Sequence, residues 1–262
     1  MRDGEGGTAP MGLGTATAER WVERWERQQQ RYAIDREERF TVVADVVEHV
    51  LAGRPRPVVA DLGCGPGSLA ARLAGRLPYA DVVAVDSDPL LLELGRTHHA
   101  HAARFVRAAL GEPGWTGALA LPGPLDAAVS TTALHCLSED ALRRTYEDLA
   151  ALLRPGGVLV NSDMLHPDGS TTARIARHVG RRRAERLGTT AHEEWDSWWT
   201  AAARDPELAG LFAARRREHR PPRNRHNGLT LPRHRTLLRE AGFQETGTVW
   251  QCSTDYVLVA VR

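Results

Sequence analysis

The sequence predicts an α/β fold: a doubly wound sheet of seven strands, mostly parallel with an antiparallel terminal strand, plus a helical cap insertion. Three observations predict it. Short apolar runs alternate with stretches of helical spacing from Val58 to Val160, a glycine-rich turn (Gly63-Cys64-Gly65-Pro66-Gly67) follows the first run, and an acid, Asp86, ends the second. A chain of 262 residues, 42% of them hydrophobic, buries one sizeable core, so a single domain carrying an insertion is expected.

Helical spacing from Glu19 to Val50, broken near Ala33 to Asp35, gives two helices ahead of the sheet. Pro55 and Pro57 end them. Val58 to Leu62 is a buried strand, Ser68 to Leu77 a helix and Asp81 to Asp86 a second strand, after which Asp88-Pro89 supplies an N-cap and a preset first turn. Phe105 to Ala108 is a weaker third strand and Leu125 to Ser130 a fourth. Ser138 caps a helix with Glu139 and Asp140 in its first turn, and Pro155-Gly156-Gly157 stops that helix before the strand Val158 to Val160. The alternation then breaks into a long helical stretch from Leu165 to about Gly228, rich in Arg, His and Trp. A helix from Leu231 to Ala241 and strands Thr246 to Cys252 and Tyr256 to Val261 close the chain.

Charge excludes some partners. All 34 basic residues are arginine, as a GC-rich bacterial genome favours, and they face 33 acids, so a net charge of +1 gives no field to gather nucleic acid or an anionic membrane. No apolar run approaches the roughly 18 residues that span a bilayer, and the amino terminus lacks the basic and apolar regions of a secretory signal. Cys64, Cys136 and Cys252 are too few and scattered for a disulfide framework or a zinc site, and their odd number fits a reducing cytosol. A cytoplasmic protein is expected.

The glycine turn lets the backbone approach a ligand with no Cβ in the way, and the next helix presents free N–H groups. Asp86 lies at the spacing from which an acid reaches a ribose diol. The turn reads Gly63-x-Gly65-x-Gly67 preceded by Asp61, which differs from the Gly-x-Gly-x-x-Gly of dinucleotide folds. This pattern resembles the first motif of class I S-adenosylmethionine-dependent methyltransferases, and the resemblance runs from Val58 to Val160 and into the closing strand pair. It implies a Rossmann-like sheet and S-adenosylmethionine as cofactor. It further implies that Asp61 and the backbone of Gly63, Gly65 and Gly67 surround the methionine part, Asp86 the ribose hydroxyls and Ser87 the adenine, with Ser130 beneath the sulfonium. Ala109-Leu110 stand where many relatives carry an Asp that accepts from the adenine amino group, so adenine contacts there rest on backbone and apolar surface.

On the same resemblance, Ser130-Thr131-Thr132-Ala133 replaces the Asn/Asp-Pro-Pro-aromatic tetrapeptide of enzymes that methylate bases or glutamine amides, which points to a small-molecule acceptor. His135, just beyond, is a candidate general base; the competing reading is a histidine that packs near the methyl. Tyr32 is the candidate lid contact to the cofactor, against simple helix packing. Trp195, Trp198 and Trp199 share a helical face, with Trp195 and Trp198 candidates for the acceptor pocket wall and cap core as the alternative. No histidine pair has convincing ligand spacing, so no metal is expected. The organisation expected is a disordered tail over 1–18, lid helices over 19–54, a cofactor-binding core over 55–164, a cap over 165–230 and a closing helix and strand pair over 231–262. Methyl transfer to an O or N atom, in specialised metabolism, is the main functional expectation. Its rivals are a same-fold enzyme that cyclises the cofactor's aminobutyrate part and a binding protein without turnover.

Overall fold

Seven strands lie in one sheet in the order β3-β2-β1-β4-β5-β7-β6. The structure is a computed structural model and describes residues 12–166, 169–218 and 226–262. Helices α1 (Thr15–Gln29) and α2 (Arg36–Leu51) precede β1 (Val58–Leu62), α3 (Ser68–Arg76), β2 (Asp81–Asp86), α4 (Pro89–His98) and β3 (Arg104–Arg107). Next come the short α5 (Trp115–Ala118), β4 (Leu125–Thr131), α6 (Glu139–Leu152) and β5 (Leu153–Met164). Helices α7 (Thr171–Leu187), α8 (Trp195–Ala202) and α9 (Ala209–Glu218) form the cap, and α10 (Leu231–Glu240), β6 (Glu245–Cys252) and β7 (Asp255–Val261) end the chain. Strands β1 to β5 run parallel, and β7 is antiparallel to both β5 and β6.

Both faces of the sheet are covered, which is why its central strands are apolar throughout rather than alternating. Val58, Ala60 and Leu62 of β1 pack toward Leu142, Tyr146 and Leu149 of α6 and Leu237 and Leu238 of α10. Val59 points the other way, among Phe40, Val43 and Val47 of α2 and Leu69 and Leu73 of α3. A third core lies off the sheet, where Trp21, Val22 and Trp25 of α1 meet Leu90, Leu91 and Leu94 of α4, Trp198 and Ala202 of α8 and Phe212 of α9.

Boundaries differ from expectation in three places. Thr15–Ala18, expected as tail, form the first turn of α1, because Thr17 and Ala18 are buried against the cap; residues 1–11 lie outside the described residues. Strand β5 begins at Leu153, so Pro155-Gly156-Gly157 falls inside it, at a register shift against Leu125 and Ala127 of β4. Helix α5 was not expected; its Trp115 is buried and donates its indole N–H to Asp148 at 2.6 Å. The ends of the cap meet where His166 bridges Thr230. No helix among the described residues is long and apolar enough to cross a membrane.

Trp198 has no exposed surface and meets Trp21, Trp25 and Trp199 edge to face at 5.4, 5.1 and 5.0 Å. Trp198→Ala is expected to lower the unfolding free energy by about 3–5 kcal/mol, measured by urea denaturation, as large-to-small changes in a packed core do.

Candidate functional site

The site is assembled at the carboxyl ends of the parallel strands, where the crossovers leave β1 and β4 in opposite directions and open a crevice. After β1 the chain reverses through Gly63, Gly65 and Gly67 at φ of +69°, +55° and +88°, a region that side chains with a Cβ resist. Gly63 and Cys64 donate their N–H groups to Val85 O at 2.8 and 2.9 Å, which fastens the turn to β2. A Cβ on Gly63 would collide with that of Ala133; one on Gly65 would stand 3.5 Å from the Trp25 ring.

Two carboxyls organise this turn. Asp86 accepts from Gly65 N at 2.8 Å on one oxygen and from Asp88 N at 2.9 Å on the other. Burial pushes its carboxyl up to about 6, against the backbone N–H groups that favour the charged form. Asp61 is wholly buried; one oxygen accepts from Ala70 N at 3.1 Å, while the other has no partner among the described residues. Burial raises Asp61 to about 7, Ala70 N–H opposing and Asp86 adding to the rise.

These features fit S-adenosylmethionine. The free Asp61 oxygen suits an ammonium, the turn admits a ligand against its backbone, and each Asp86 oxygen keeps a lone pair for a ribose hydroxyl. Ser87 is half-buried beside Asp86, and Ala108 N donates to Asp86 O at 3.0 Å, so exposed Ala109 and half-buried Leu110 follow directly at the same edge. Ser130 is buried and donates to Leu62 O at 2.8 Å, tying the end of β4 to the glycine turn.

Two expectations are corrected. Tyr32, in the turn after α1, points toward the cap, its hydroxyl accepting from Trp195 N at 3.0 Å; the ring over the glycine turn belongs to Trp25 within α1. Trp198 is buried in the lid–cap core, so it cannot line an acceptor pocket, and half-buried Trp195 packs on Trp25 at 5.2 Å. Trp25 falls within the helical spacing of the first helix, but what that face meets is set only by the tertiary packing. Glu26, next to it, clasps Arg36 and Ser68, the first residue of α3, so the lid is pinned to the turn.

On the β4–β5 side, Thr132 takes φ +50°, rare without glycine, and donates to Ser162 O at 3.0 Å. The chain then enters a 3-10 turn, Leu134–Cys136, that presents His135 to Asp163. The His135 Nδ1 to Asp163 Oδ1 distance is 2.6 Å, and His135 N donates to the other oxygen at 3.1 Å. The ring stacks on His226 at 4.5 Å. Burial opposes a charge on His135, but the Asp163 carboxylate outweighs it and pushes the imidazole up to about 10. Burial acts to raise Asp163, yet His135 and Arg39 hold it below the usual carboxylate range. Asp163 was missed in the sequence because the fifth strand was ended at Val160; an acid at the carboxyl end of a central strand was the available signal. Among the described residues, no group of three or more His, Cys, Asp and Glu could hold a metal ion.

Known proteins agree with this geometry. Residues 59–157 match the family model described as a methyltransferase domain. The chain is 42% identical over 102 residues to an uncharacterized methyltransferase of Mycobacterium tuberculosis, covering 38% of this chain and 47% of that one. It is 31% identical over 176 residues to the trans-aconitate 2-methyltransferase of Methylobacterium radiotolerans, covering 66% and 57%. The chain thus spans about half the length of these curated relatives. Magnesium protoporphyrin IX methyltransferase from Synechocystis, solved with S-adenosylhomocysteine bound, shares the fold with a TM-score of 0.51 and 18% identity, covering 94% of both chains. Residues 59–157 thus carry a methyltransferase domain, on a fold shared with solved S-adenosylmethionine-dependent methyltransferases.

Asp86→Ala is expected to weaken S-adenosylhomocysteine binding by roughly 10- to 100-fold in calorimetry, the worth of hydrogen bonds to a charged group. Because the carboxylate is the form that accepts hydrogen bonds from both ribose hydroxyls, wild-type affinity should show a fall as pH drops through about 6 that the variant lacks, leaving the variant only the pH dependence set by Asp61.

Proposed function

We propose that this protein transfers a methyl group from S-adenosylmethionine to an oxygen or nitrogen of a small-molecule acceptor, in specialised metabolism, with His135 meeting the acceptor. The observation that carries the reading is the 2.6 Å contact between His135 and buried Asp163 beside the cofactor turn. Near-neutral charge and the Ser130-Thr131-Thr132-Ala133 segment support a small acceptor over a nucleic acid. The three free cysteines support a reducing, cytoplasmic setting.

When bound, the cofactor supplies an electrophilic methyl on a sulfonium. The protein's task is to hold a nucleophile behind that methyl, exclude water and manage one proton. Asp163 takes the Nδ1–H of His135 and so leaves Nε2 to face an acceptor. For a hydroxyl or amine, neutral His135 accepts the acceptor's proton on Nε2 as the new bond to carbon forms, and Asp163 stabilises the resulting imidazolium. A second reading is favoured by the charge that Asp163 confers on His135 and by relatives named for trans-aconitate. In it the acceptor is a carboxylate, which has no proton to lose, and the imidazolium Nε2–H donates to it.

The test is incubation with S-adenosylmethionine and a panel of phenols, amines and carboxylic acids, trans-aconitate included, with mass analysis of nucleoside and acceptor. S-adenosylhomocysteine together with a methylated acceptor supports the proposal; methylthioadenosine, or binding with no product from any acceptor, overturns it. His135→Gln should lower kcat by roughly 10²- to 10⁴-fold, the range of a general acid–base group, and a full rate would remove His135 from the acceptor site. With a hydroxyl or amine acceptor, kcat should rise with pH and level off near 10, as His135 loses its proton. With a carboxylate it should hold steady and fall above that value.

A further inference from the structure

Arg39 of α2 is 1% exposed, and its guanidinium is held by three hydrogen bonds inside the protein. Nε donates to Ser162 Oγ at 2.9 Å, Nη2 to Ser162 O at 2.8 Å and Nη1 to Asp255 Oδ1 at 3.1 Å. A buried guanidinium is costly to desolvate and stays only where its donors and its charge are met. Here they are met beside the acceptor machinery. Ser162 immediately precedes Asp163, and its carbonyl also takes the Thr132 N–H, so one oxygen joins α2, β5 and the loop that leads to His135.

The buried charges balance as a group: Arg39 and His135 against Asp163 and Asp255. Burial raises Asp255 to about 6, Arg39 opposing and Asp163 and Asp35 adding to the rise, while Arg39 helps hold Asp163 ionised. Other groups face this quartet from every side. Asp35, ahead of α2, is paired with Arg183 of α7. Tyr146 of α6 and His234 of α10 lie within reach of Asp163, Cys136 and His226 lie beside His135, and His166 lies near His226.

We propose that Arg39 is a positioning residue for the acceptor site: through Ser162 and Asp255 it fixes the segment carrying Asp163, and through that carboxylate it sets the orientation and charge of His135. The proposal rests on the reading that His135 meets the acceptor, yet it is tested without one. The readout is the titration of His135 in protein labelled with ¹⁵N-histidine and saturated with S-adenosylhomocysteine, its signals assigned by their loss in His135→Gln. Arg39→Gln removes a nearby positive charge, so His135 should keep its proton to higher pH, by about one pH unit at an effective dielectric near 20. Asp255→Asn removes a negative charge and should shift the titration to lower pH by a similar amount, and the double variant should return close to wild type. Should Arg39→Gln fail to fold, Asp255→Asn and the charge-balanced double variant decide the matter. A His135 titration unmoved in these variants overturns the proposal, whatever happens to thermal stability. With an acceptor from the panel, Arg39→Lys should keep the titration and S-adenosylhomocysteine affinity but lower kcat about tenfold, since an ammonium cannot reproduce the fork on Ser162; an unchanged kcat overturns the orientation part. If His135→Gln keeps full activity while the titration shifts as expected, the coupling stands and the functional reading fails; if His135→Gln is inactive and the titration does not move, the coupling fails alone.

Discussion

The carboxylate of Asp86 joins two loops that would otherwise carry unsatisfied backbone donors. One of its oxygens takes the Gly65 N–H and the other the Asp88 N–H, so the turn after β1 and the turn after β2 become one rigid rim. From that rim the contacts spread outward. Asp88 caps α4 by accepting from Leu90 N at 3.0 Å and also takes Arg215 of α9 at 2.5 Å, while the Arg215 guanidinium lies 4.1 Å over the Trp199 ring. The cap is thereby fastened to the loop beside Asp86.

Lid and cap behave as one packed body on that side of the sheet. Trp21 and Trp25 interlock with Trp195, Trp198 and Trp199, and the polar rim follows suit: Trp21 donates to Asp205 at 2.7 Å, Arg24 forks onto Glu193, and Arg31 reaches His192 O at 3.0 Å. Edge-to-face rings add specific geometry to a large apolar burial. The cap thus backs the ring that lies on the glycine turn, because Trp25 bears on Gly65 from one side and on the cap tryptophans from the other.

The opposite half of the crevice is polar and charged. Ser130 ties the end of β4 to Leu62 of β1, the Thr132–Ser162 hydrogen bond joins the ends of β4 and β5, and the histidine–carboxylate pair lies just beyond that junction. Its charge is offset by Arg39 and Asp255 from α2 and β7, elements that precede and end the sheet in sequence. Electrostatic pairs in so little water depend on every partner being present.

The sequence by itself determined the strand and helix alternation, the Asp88 and Ser138 caps, the glycine turn and the Asp86 acid. All of these are local: a turn that needs positive φ selects glycine, a helix start selects a short oxygen-bearing side chain, and a strand buried on both faces is apolar throughout. Tertiary structure alone decided that Trp25 rather than Tyr32 bears on the glycine turn, that Trp198 is core, and that Asp163, Arg39 and Asp255 converge near His135. Asp163 and Asp255 are 92 residues apart and Arg39 lies 216 residues from Asp255. Their shared burial arises only when α2, β5 and β7 stack, and residues so far apart leave no spacing pattern along the chain from which that contact can be read.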